Sequence, residues 1–338
     1  MSDPENAHAP YDGLTPDRVL DVLAWAGFEG DGRLLALNSY ENRVYRANLD
    51  DGRVVVAKFY RPGRWTDAQI LEEHAFARAL ADEEVPVVAP LPLAGPGDQG
   101  PAGTLGEHAG FRLAVYPNRG GRAPELDDPA TLTWIGRFIG RLHVVGARAP
   151  FEARPRLDLA TFGDASRDFL LGGDLLPPDL VTPYRSVLDL ALAGVARCYA
   201  RAGAIDLLRL HGDCHAGNIL WTVDGPHFVD LDDARTGPAI QDLWMLLPGE
   251  RTEMTHALGA VLEGYRQFRP FDPRELHLVE ALRTLRLIHY AAWIGRRWDD
   301  PAFPAAFPWF GTQRYWQDRI LELREQVALM DEPPLEGD

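Results

Sequence analysis

Lysine is all but missing from this sequence. Its 338 residues carry 34 basic side chains, and Lys58 is the only lysine among them. Arginine therefore serves wherever positive charge alone is needed. Position 58 reads as a place where a compact ammonium fits and a broad planar guanidinium does not. Cysteine is also scarce: Cys198 and Cys214 make no disulfide framework, which fits a reducing cytoplasm. Positive charge is outweighed, 34 basic against 50 acidic residues for a net charge of −16, so neither nucleic acid nor an anionic membrane is an expected partner. No run approaches the ~20 apolar residues that a spanning helix needs. Residues 1–13 show neither the basic nor the apolar segment of a secretory leader. No G-x-G-x-x-G loop precedes Lys58 either.

What the chain does have is a dense polar stretch between Leu207 and Arg235. Leu207-Leu208-Arg209-Leu210 runs into His211-Gly212-Asp213-Cys214-His215-Ala216-Gly217-Asn218, followed by apolar Ile219-Leu220-Trp221. A turn at Asp224-Gly225-Pro226 leads to Phe228-Val229 and then Asp230-Leu231-Asp232-Asp233. Two apolar segments about a Gly-containing turn predict a β-hairpin with its polar residues at the ends. An Asp, an Asn five residues on, and an Asp after the next strand is an arrangement suited to phosphoryl transfer. Asp213 would accept the proton of the attacking hydroxyl. Asn218 and Asp230 would ligate Mg²⁺, for which amide and carboxylate oxygens are apt.

Thr15-Pro16-Asp17 predicts a helix start, and strand-like segments follow to Lys58-Phe59-Tyr60. Thr66-Asp67 opens a helix to about Leu80, on which Glu73 falls near the apolar face and can hold Lys58 by an ion pair. Residues 94–110 read as a flexible Gly- and Pro-rich loop, and Phe111–Tyr116 as a strand. From Asp128 the pattern is mainly helical. His143, on an apolar helix face, reads as a histidine satisfied in the core, and the aromatics from Trp293 to Phe310 as core filling. Asp242 at a helix start reads as a structural brace for the catalytic loop. The expected fold class is α+β and bilobal: a small, mostly antiparallel β lobe at 1–117, a large helical lobe at 118–330, and a frayed tail at 331–338, with an ATP cleft between the lobes.

These residues resemble the protein-kinase-like superfamily, and within it the aminoglycoside phosphotransferase and choline kinase branch. That branch carries His-Gly-Asp, here His211-Gly212-Asp213, then His215, Gly217-Asn218 and an apolar strand ending in Asp, here Asp230. The strings from His211 to Trp221, Val229 to Ala234, Gln241 to Trp244 and Lys58-Phe59-Tyr60-Arg61-Pro62 are similar still more closely to the bacterial stress response kinase A family. The resemblance implies an ATP-dependent Ser/Thr protein kinase of the cytoplasm, acting in stress survival with Mg²⁺. A monomer acting on a protein substrate is expected. The phosphate lid in place of a Gly-rich loop would be Asn38 to Arg43, with Asn38, Ser39 and Asn42 as its polar side chains. Gly212 stands where protein kinases have an arginine that can read an activation-loop phosphate, so that switch is not expected. Asp230-Leu231-Asp232 stands for Asp-Phe-Gly, which leaves Asp232 as a rival metal ligand, with Asp230 preferred because it directly ends the strand. The alternative acceptor is a small molecule: an amino alcohol, an aminoglycoside or a sugar.

Overall fold

A computed structural model describes residues 10–94 and 103–337. Residues 1–9, residue 338 and residues 95–102, part of the loop read at 94–110, lie outside the described residues. The chain divides into two compact units, Met1–Gly121 with His227–Asp232, and Arg122–Pro226 with Asp233–Asp338.

In the first unit, helix α1 (Pro16–Trp25) starts as its sequence dictates: Thr15 accepts the Arg18 N–H and proline occupies the first turn. Strands β1 (Gly30–Leu37), β2 (Arg43–Leu49) and β3 (Val54–Phe59), helix α2 (Asp67–Asp82), and strands β4 (Gly106–His108) and β5 (Phe111–Pro117) follow. The five strands form one antiparallel sheet in the order β1-β2-β3-β5-β4. Part of the loop expected at 94–110 is thus a strand, β4, paired with β5. Strand alternation decides where Lys58 goes. Val55, Ala57 and Phe59 pack with Val19, Val22 and Leu23 of α1, while Tyr60 and Ala114 pack with Ile70 of α2. Lys58, between Ala57 and Phe59, therefore stands on the α2 face of the sheet, opposite Val44 and Ala114 in register.

The second unit contains helices α3 (Pro129–Gly146), α4 (Ala165–Gly172) and α5 (Val181–Ala202), then strands β6 (Leu208–Leu210), β7 (Ile219–Thr222), β8 (Gly225–Phe228, which runs into the first unit's segment) and β9 (Arg235–Gly237). Helices α6 (Gln241–Trp244), α7 (Arg251–Tyr265), α8 (Val279–Gly295), α9 (Ala302–Ala306) and α10 (Gln313–Leu329) complete it. Strands β7 and β8 form the expected hairpin, whereas β6 pairs with β9 through Leu210↔Arg235. Helices α3 and α7 lie so close that a Cβ on Gly136 would meet the Val261 carbonyl oxygen at 2.1 Å.

Several expectations need correction here. The helix read from Asp242 is a single turn, α6, which ends at Trp244, before the Pro248-Gly249 break. A π-helical turn at Leu159–Asp164, capped by Asp158, was not anticipated. Among the aromatics, Phe303, Phe307 and Phe310 are buried, but Trp309 is 40 % exposed. The tail does not fray through residue 337. Leu335 is buried, and Arg251 donates to the carbonyls of Pro333 and Pro334 at 2.6 and 2.7 Å.

Glu275 gives the second unit a pH-dependent stability. It is buried in a 3-10 turn (Pro273–Leu278) and accepts the Ile240 N–H at 2.8 Å. Burial pushes its carboxyl up to about 7, against the hydrogen bond from Ile240. Below pH ~4.5 the group is protonated folded and unfolded. As pH rises toward 7 only the unfolded chain ionises, so stability present at low pH is lost, by roughly 3 kcal/mol in all. Glu275→Gln should flatten this fall, so thermal melts of variant and wild type from pH 5 to 8 should converge or cross. Parallel curves would refute the assignment.

Candidate active site

In the first unit the site is built round Lys58. It is 7 % exposed, and its Nζ lies 2.9 Å from Asp230 Oδ1 and 3.1 Å from Asp232 Oδ1. Burial opposes the ammonium charge. Asp230 and Asp232, then Tyr116 and Glu73, outweigh it and hold the pKa well above the usual lysine range. Glu73 is buried on α2 as its position predicts, but the direct carboxylate partners of Lys58 are the two aspartates; Glu73 adds a weaker field. Lys58→Arg should lower kcat/KM for ATP by about tenfold or more, because a guanidinium cannot occupy a slot shaped for one nitrogen. An ATP titration of the purified variant checks this; unchanged kinetics would show that only charge matters at 58.

Asp232 is the more committed of the two carboxylates. Asn42 Nδ2 donates to its Oδ2 at 3.1 Å, Arg64 Nη1 donates to the same oxygen, and Lys58 faces Oδ1. The other end of the Asn42 amide accepts the Arg61 N–H at 3.2 Å, and Glu41 Oε1 lies 3.1 Å from Arg61 Nε. Asn42, expected on a phosphate lid, thus spends its side chain inside this network. Asn38 is exposed and Ser39 half-buried, just beyond β1. Asp230 is different. Lys58 takes one oxygen, and the side chain stays 55 % exposed. Its φ of +60° lies in the left-handed region, which a non-glycine residue occupies only where the surroundings enforce it. A carboxylate so presented fits a Mg²⁺ ligand, whereas the charge of Asp232 is already met by Arg64 and Lys58.

In the second unit the candidate catalytic loop leaves β6 and is fixed by Asp242. That carboxylate accepts the N–H groups of His211 at 2.7 Å and Gly212 at 2.8 Å. It also faces His143 Nε2 at 3.1 Å, and the other His143 nitrogen meets the Tyr265 hydroxyl at 3.0 Å. Both His143, wholly buried and satisfied, and Asp242, a brace, take the places expected of them. Gln241 Nε2 donates to the Gly212 carbonyl at 2.9 Å, which closes the loop.

On this base stands Asp213. Asn218 Nδ2 donates to its carbonyl at 2.9 Å, which ties the two motif residues together and turns the amide oxygen of Asn218 away, suited to a cation. His215 Nδ1 accepts the Gly217 N–H at 3.0 Å, so its proton sits on Nε2, 3.4 Å from Asp213 Oδ2. Arg286 Nη1 donates to Asp213 Oδ1. Burial pushes the Asp213 carboxyl up, but His215 and then Arg286 outweigh it and leave it below the usual carboxylate range. Cys214, next in sequence, is fully buried. Sequence reasoning missed Arg286 and Arg64. Neither lies in a motif, and Arg286 is 73 residues from Asp213.

Residues 33–279 match the phosphotransferase enzyme family. The chain belongs to that family. This phosphotransferase is 45 % identical over 326 residues to stress response kinase A of Salmonella choleraesuis (strain SC-B67), covering 96 % of each chain. It shares the same identity and coverage with a protein of Salmonella typhimurium (strain LT2) named serine/threonine protein kinase RdoA. Among solved structures it is similar to amicoumacin kinase hAmiN, in complex with AMP-PNP, Ca²⁺ and Ami, at a TM-score of 0.73 and 20 % identity, covering 97 % of this chain and 96 % of that one. The fold is therefore that of protein-kinase-like phosphotransferases, with a five-stranded antiparallel sheet in its N-terminal part and a helical C-terminal part. Among the described residues no helix is long and apolar enough to cross a membrane.

Proposed function

We propose that this ATP-dependent phosphotransferase is a Ser/Thr protein kinase that moves the γ-phosphoryl group of ATP to a protein hydroxyl, as a monomer in the cytoplasm. Asp213 orients the acceptor hydroxyl and takes its proton as the new O–P bond forms, and ADP leaves as the old one breaks. Lys58 neutralises the α/β-phosphates, and Asp232, with Asn42 and Arg64, keeps it in position. The network that pins Asn42 leaves Asn38 and Ser39 as the lid side chains that would face the nucleotide phosphates. Asn218 and Asp230 would hold Mg²⁺, which when bound would offset the charge of the phosphates.

The observation that carries the reading is the catalytic loop. Asp213 is partly buried, ionised and tied to Asn218, while Asp242 fixes the backbone at the start of the loop that carries both. The choice of a protein acceptor is supported by the relative named as a serine/threonine kinase, with which the chain aligns over 96 % of both lengths. A second reading, a small-molecule kinase, has the fold shared with an amicoumacin kinase in its favour. Incubation with γ-labelled ATP and Mg²⁺, beside a generic protein substrate and a panel of amino alcohols, aminoglycosides and sugars, separates the two. Label is expected on protein serine or threonine. Label confined to a small alcohol overturns the protein-kinase reading.

A further inference from the structure

The mechanism leaves Arg286 without a task. Its guanidinium donates to Asp213 Oδ1, on the carboxylate proposed as the base. Arg286 is the more exposed partner, 42 % against 22 % for the Asp213 side chain, so it stands on the solvent side, where an acceptor must arrive. A cation there is adverse to an amine-bearing acceptor, which would bring like charge to like. It also competes with the acceptor hydroxyl for the base.

The surroundings along α8 agree. One, two and three turns on from Arg286 come half-exposed Tyr290, Trp293 stacked on it at 5.6 Å, and Arg297 over the Trp293 ring at 5.2 Å. Asp233, a carboxylate that acts on His289 of this helix, is held by Arg235. Burial and then the positive charge of Arg235, with Arg296 and Arg297 adding to it against Asp233, push His289 down to about 3, so its imidazole stays neutral. A chain of net charge −16 thus sets an arginine against its proposed base, with aromatic rings and a further arginine following along the same stretch of chain. Arginine is suited to bidentate pairing with carboxylate.

We propose that Arg286 is the specificity residue of the acceptor side, selecting a serine or threonine borne on an acidic peptide segment. The acceptor's carboxylate takes the guanidinium from Asp213 and so uncovers the base for the neighbouring hydroxyl. The inference rests on Asp213 being the base.

The test compares serine peptides that differ only in glutamate, glutamine or lysine beside the serine, with a hydroxy acid and an amino alcohol as small-molecule arms. Each is assayed with wild type, Arg286→Ala, Arg286→Lys and Arg286→Glu. Wild type should favour the glutamate peptide over the lysine peptide by about tenfold or more in kcat/KM. The ratio should fall toward one in Arg286→Ala, persist in part in Arg286→Lys, and invert in Arg286→Glu. An unchanged ratio in Arg286→Ala, a wild-type preference for lysine, or an equal loss on every acceptor, as expected of a contact to the phosphoryl group, overturns the proposal. If only small molecules are labelled, the protein-kinase reading fails separately. The hydroxy acid to amino alcohol ratio then shows whether Arg286 still selects for negative charge, and no such preference overturns that too.

Discussion

Asp213→Asn is expected to lower kcat for phosphoryl transfer by about 10²–10⁴-fold, the usual contribution of a positioned general base. Asparagine keeps the size of the side chain and an oxygen for Arg286 or His215, so the loop should hold its shape. What is lost is the negative charge and the ability to take a proton. Because the proposed role of Asp213 is toward the acceptor and not the nucleotide, KM for ATP should stay within about threefold, the signature of an interaction made in the transition state. Steady-state kinetics on the purified variant checks both halves. Retention of most of the wild-type kcat would remove Asp213 from the mechanism.

Gly212→Ala should cost nearly as much, by a different route. The residue has φ +87°, a conformation that L side chains rarely adopt, and an added Cβ would sit 2.1 Å from the carbonyl oxygen of Asp233. That obstacle is backbone and cannot rotate away. Neither can the loop retreat easily, since Asp242 grips the N–H groups of both His211 and Gly212. A loss of about 3 kcal/mol or more in stability is expected, read as a lower denaturant midpoint for the second unit. Gly259, within α7, is the control: a Cβ there meets nothing within 4 Å, and Gly259→Ala should stabilise by about 0.5–1 kcal/mol. Equal effects at the two positions would mean that the strain at Gly212 is not real.

The same glycine explains one departure from the protein-kinase pattern. Position 212, where those kinases carry an arginine, has no room here even for a methyl group, so the substitution is built into the packing of the loop on Asp233. Much of the site was legible because its chemistry is local in sequence. Asp213 and Asn218 are five residues apart on one loop, and Asp230 ends the next strand. The scarcity of lysine singled out Lys58, and helix geometry put Glu73 on the buried face of α2. The brace from Asp242 was read correctly because a carboxylate at a helix start has few other duties.

What was not legible depends on contacts made across long stretches of chain. Asn42 reaches Asp232 over 190 residues, Arg64 reaches it over 168, and Arg286 reaches Asp213 over 73. No periodicity or spacing encodes which arginine among so many will find a given carboxylate. The pairing of β6 with β9 escaped for the same reason, each strand being only three residues long. The tail misled because its composition is that of a frayed end, while Leu335 and the arginine donors to its carbonyls hold it.

Division of labour between Asp230 and Asp232 is the central claim: the first presents an exposed carboxylate for the metal, and the second is absorbed by Arg64, Asn42 and Lys58. The direct test is a Mg²⁺ titration of phosphoryl transfer at saturating ATP, wild type beside Asp230→Asn. The variant should need about tenfold more Mg²⁺ or more for half-maximal rate, with a lower plateau. A Mg²⁺ curve that overlays that of the wild type would show that Asp230 does not hold the metal.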